Sequence, residues 1–90
     1  MGKISIFVFS ENYLVAESFV YQLSEKYKIN EIKKTKNKIY SENKQASIVA
    51  KTNLPKIGEK YSNIFVDLDT KESTIYNIKN ILGTNDIIYF

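Results

Sequence analysis

Two aspartates, Asp67 and Asp69 in the stretch IFVDLDT, follow an apolar run, and Glu11 follows another in IFVFSE. Carboxylates at the tips of neighbouring strands suit a hard divalent cation such as Mg²⁺, which takes one or two of them and keeps several waters. If the two runs lie side by side, three carboxylates gather at one edge of a sheet, with Glu11 and Asp67 as the candidate metal ligands. The competing reading is structural. Asp69 and Glu72 have the spacing of a capping box, so Asp69 is expected to cap a helix. Ser10 is expected to cap another, Glu11 suits that helix's positive first turn, and Asp67 then only ends a strand.

Other chemistries lack their residues. The chain contains no cysteine and no histidine, which removes disulfides, thiolate and imidazole metal sites, Cys nucleophiles and imidazole bases. No serine triad or carboxylate dyad with a base is visible, so the chain is not expected to be an enzyme. No cofactor is expected beyond the Mg²⁺ alternative. The net charge of +3 comes from thirteen lysines without arginine. The densest basic stretch is KINEIKKTKNKIYSENK, residues 28–44, where Lys33, Lys34, Lys36 and Lys38 are the candidate nucleic-acid contacts and Tyr40 adds one aromatic. Against that stands a solvated, lysine-decorated hairpin, because the Arg that usually makes bidentate contacts is absent.

The elements that must position these residues alternate between strand and helix. KISIFVF, residues 3–9, is apolar on both faces, as in a central strand covered on both sides. In SENYLVAESFVYQLSEKYK, Val15, Phe19 and Leu23 recur at steps of four, with Ala16, Val20 and Tyr27 widening the stripe of a helix. The middle reads as an extended polar segment, with a hairpin turning at Lys36 to Asn37, and a short strand around Ile48 to Ala50. Pro55 and Gly58 mark a connection into the strand NIFVD. DTKESTIYNIKNILG then sets Ile75, Ile78 and Ile81 or Leu82 on one helical face and stops at Gly83; NDIIYF supplies a last strand. With no repeat and one proline, residues 1–90 are expected to form one α/β domain. Its expected core is a mainly parallel sheet of four to five strands with helices on both faces. Ser10 and Glu11 interrupt the N-terminal apolar run before a signal peptide or membrane span is complete, so a cytoplasmic protein without membrane contact is expected.

At these residues the chain resembles the receiver domain of bacterial response regulators. IFVFSENYLVAESFVYQL is similar to the family's first strand, acidic pair and first helix, with Ser10 and Glu11 at the acidic positions. NIFVDLDT is similar to its phosphoacceptor strand, with Asp67 on the aspartate that accepts the phosphoryl group. The resemblance implies a flavodoxin-like fold, a Mg²⁺ site at Glu11 and Asp67, and a histidine kinase as partner. The chain departs from the pattern in three ways. Ser10 takes an acidic position, the interval from Glu11 to Asp67 is longer than usual, and the family's later Thr or Ser and Lys have no counterpart before Phe90. Without that hydroxyl and ammonium, phosphoryl transfer lacks its charge stabilisation. A shortened receiver-like module that signals by contact is therefore expected, with a Mg²⁺-dependent phosphoacceptor and a nucleic-acid-binding accessory protein as alternatives.

The last strand points to a partner. DIIYF has neither proline nor lysine to blunt an exposed edge, so Ile87, Ile88, Tyr89 and Phe90 are the candidate interface of a homodimer or of a contact with another protein. Tyr61 and Tyr76 are further candidates for such a surface.

Overall fold

In the computed structural model, which describes residues 3–90, the first apolar run forms β1 (Ile4–Phe9), followed by α1 (Tyr13–Lys26). The lysine-rich segment forms β2 (Ile32–Lys34) and β3 (Lys38–Glu42), and QASIVAK forms β4 (Ala46–Lys51). Next come β5 (Asn63–Val66), α2 (Glu72–Leu82) and β6 (Ile87–Tyr89). The strands make one six-stranded sheet in the order β2-β3-β4-β1-β5-β6. β1 runs parallel to both β4 and β5, and β5 runs parallel to β6, whereas β2 with β3 and β3 with β4 are antiparallel. The sheet is therefore mixed, with six strands instead of the four to five expected. The added strands belong to the lysine-rich segment, whose turn over Thr35–Asn37 is closed by the Thr35 N–H donating to the Lys38 carbonyl at 2.8 Å.

Burial explains the central place of β1. Ile6 and Val8 pack in a cluster with Ala16, Val20 and Leu23 of α1 and with Ile39, Ile48 and Ala50 of the neighbouring strands. Phe7 and Phe9 pack instead with Ile64, Val66 and Ile78 of α2, flanked by Ile75 and Leu82. Successive residues of a strand point to opposite sides, so the four consecutive apolar residues Ile6–Phe9 serve two cores at once. Phe7 and Val8 are fully buried. On α1 the buried line runs through Ala16, Val20 and Leu23, one residue round from the Val15, Phe19, Leu23 line, while Phe19 sits at the margin of the cluster. Helix α2 buries Ile78 and closes at Gly83 in the left-handed conformation, φ 66°, as its sequence predicts.

The caps differ from expectation. Asn12, not Ser10, caps α1, its side chain accepting from the N–H groups of Leu14 and Val15, and Glu11 lies before the helix. At α2 the cap position is Lys71 with no side-chain bond, so the Asp69–Glu72 capping box does not form. The Asp69 N–H is turned back onto the Asp67 carboxylate. No helix among the described residues is long and apolar enough to cross a membrane.

Candidate functional site at the tips of β1 and β5

The register Phe9↔Val66 places the C-terminal ends of β1 and β5 side by side. The chain reaches β4 on one flank of β1 and β5 on the other, so these tips lie where the connections diverge, the position at which open α/β sheets form their ligand crevices. The geometry brings Ser10 to Asp67. Ser10 is fully buried and its hydroxyl donates to Asp67 Oδ2 at 2.6 Å, while accepting from the Asn12 N–H at 3.1 Å. Asp67 Oδ1 accepts from the Asp69 N–H at 3.0 Å, and the Asp67 carbonyl accepts from the Thr70 N–H at 3.0 Å. The Asp67 N–H donates to the Phe9 carbonyl at 2.9 Å, continuing the ladder between the strands past β5. A short hydroxyl-to-carboxylate bond is of the charge-assisted kind and about twice as strong as a neutral one.

Glu11, Asn12, Val15, Asp67, Asp69 and Thr70 line a small cleft above this pair. Glu11 and Asp69 are exposed at its rim, and Asp67 lies at its base with 8% of its surface accessible. The three carboxylates share the cleft, yet no group of three acidic side chains close enough to hold a metal ion occurs among the described residues. The three acidic tips thus reach one cleft, as expected, without forming a three-carboxylate cation cluster. Asp67 is bonded to Ser10, and Glu11 is exposed in the loop between β1 and α1. Thr70, unremarked in the sequence, is buried there, and its hydroxyl has no hydrogen-bond partner among the described residues. Only the turn after Asp67 brings it inward, and no spacing rule announces such a turn.

The four lysines do not form one stripe. Lys33 and Lys38 lie 5.9 and 5.1 Å from the Tyr40 ring, and Lys33 also approaches Glu31 at 3.8 Å. Lys34, on the alternate side of β2, bonds Glu17 of α1 at 2.6 Å. Its pKa is raised, first by the hydrogen bond to Glu17 and then by that to Tyr21. Lys36 stands exposed in the hairpin turn.

The candidate interface residues lie on the outer strand of the sheet, with Phe90 just past its end. Ile88 and Tyr89 are 47% and 42% exposed. Ile87 packs against the α2 cluster, whereas Phe90 stacks on Phe19 at 4.0 Å beside Phe65. Leu14, Phe19 and Phe90 thus share an apolar surface at the α1 side of the sheet, which periodicity alone does not reveal. Tyr76 is exposed on α2, but Tyr61 turns inward against Phe7, its hydroxyl donating to Glu59 at 2.7 Å. No protein-family model matches the chain, and no curated protein or solved structure matches it.

Proposed function

We propose that this chain is a non-catalytic regulatory module of receiver-like, flavodoxin-like organisation, cytoplasmic, signalling by contact with a second copy or another protein. The observation that carries the reading is the Ser10–Asp67 hydrogen bond. A phosphoacceptor needs a carboxylate oxygen presented to the phosphoryl donor and a cation beside it to neutralise charge. Here one oxygen is held by the buried hydroxyl and the other by a backbone N–H, so Asp67 acts as a clasp between β1 and β5. The parallel run β4-β1-β5-β6 and the division of β1 between an α1 cluster and an α2 cluster support the receiver-like organisation. Exposed Leu14, Leu68 and Ile88 support the contact role, since apolar surface next to an open strand is what a partner covers.

Incubation with acetyl phosphate and Mg²⁺, followed by intact-mass measurement, tests the reading. The expected result is an unmodified chain. A single phosphoryl adduct that disappears in Asp67→Asn would overturn it in favour of the phosphoacceptor alternative.

A further inference from the structure

The two edges of the sheet are built differently. β2, at one edge, is Ile32-Lys33-Lys34, two lysines in three residues, the usual protection against pairing with another chain. β6, at the other edge, is Ile87-Ile88-Tyr89 and carries no charge at all. The backbone direction of β6 follows from its bonds to β5. The Phe90 N–H donates to the Val66 carbonyl at 3.0 Å and the Phe90 carbonyl accepts from the Leu68 N–H at 2.7 Å, so both groups of Phe90 face inward. Alternate residues of a strand share a direction, which turns the groups of Ile88 inward and those of Ile87 and Tyr89 outward. The Ile87 N–H is held meanwhile by the Asn85 carbonyl at 3.0 Å.

We infer that β6 pairs antiparallel with β6 of a second copy, about a twofold axis at Ile88. This deepens the contact-signalling reading, on which it rests, by naming the partner. In that register Ile87 of each chain faces Tyr89 of the other, and each such pair exchanges two backbone hydrogen bonds once the Ile87 N–H leaves the Asn85 carbonyl. The two Ile88 residues meet as the close, non-hydrogen-bonded pair at the centre. The pairing is self-complementary, as a twofold interface requires. A groove beside the strand fits the same copy. It is lined by Glu72, Ser73, Ile75, Tyr76, Lys79 and Tyr89, with an acid near one end of α2 and a base near the other. A second chain running in the opposite direction presents that pair of charges in reverse order, and brings its own Tyr89 to the apolar part of the groove.

The absence of cysteine makes the register directly readable. Non-hydrogen-bonded antiparallel pairs hold their Cα atoms about 4.5 Å apart, within the span of a disulfide. With oxidised glutathione as the oxidant, Ile88→Cys is expected to convert most of the chain to a covalent dimer, while Tyr89→Cys stays largely uncrosslinked. Size-exclusion with light scattering is expected to show dimer for the unaltered chain at about 100 µM, a weak-complex concentration. Tyr89→Pro removes one outward donor without touching the bonds to β5 and is expected to leave monomer with an unchanged circular dichroism spectrum. Monomer at that concentration together with no Ile88→Cys crosslink, or crosslinking through Tyr89→Cys instead, would overturn the pairing. Neither result would disturb the clasp role of Asp67, which the phosphorylation test decides separately.

Discussion

Ser10 and Thr70 both lie against Asp67 in the fold but are expected to contribute to stability with opposite signs. The Ser10 hydroxyl satisfies a buried carboxylate oxygen, so Ser10→Ala leaves that oxygen without its donor. Hydrogen bonds to charged groups contribute roughly 1.5–3 kcal/mol, and urea unfolding of Ser10→Ala should show a loss in that range. Thr70→Val replaces an unpartnered buried hydroxyl by a methyl of similar shape and should raise stability by roughly 1 kcal/mol in the same assay. Equal effects of the two substitutions would contradict this division. Part of the site was legible in the residues themselves: Asp67 and Glu11 do line one cleft. The partner of Asp67 was not, because a serine just past a strand reads as a helix cap. Its burial depends on how far β1 extends beneath the loop, which local spacing does not encode.

At the scale of the elements, the caps carry the lesson. Asn12 has extended backbone, φ −99° and ψ 112°, and its side chain closes the first turn of α1 while Ser10 is engaged elsewhere. Asn12→Ala should therefore cost about 1 kcal/mol in thermal or urea unfolding, and a substitution without effect would return the cap to another residue. The strands and helices themselves were readable, since β-branched and aromatic runs and apolar steps of three and four are local signals. The pairing partners of the lysine-rich hairpin were not. Lys33 and Lys34 look equivalent in sequence, but strand alternation sends one to Tyr40 and the other to Glu17. The end of α1 was equally hidden, because Lys28 adopts the left-handed conformation, φ 56°, where glycine is the usual residue.

For the whole molecule, the expectation that mattered most was that the two apolar stretches run side by side in the same direction, and β1 and β5 do. Mixed pairing arises at one flank only, where a hairpin is inserted between α1 and β4. Among the described residues that leaves a lysine-bearing edge at β2 and an uncharged edge at β6. In the function proposed above, the acidic tips form a structural clasp and not a phosphoryl site. The clasp is tested most directly by following backbone amide resonances during titration with Mg²⁺ and beryllofluoride, a phosphoryl mimic. The signals of Ser10, Asn12, Asp67 and Asp69 are expected to stay where they are; saturable shifts confined to those residues would overturn the clasp.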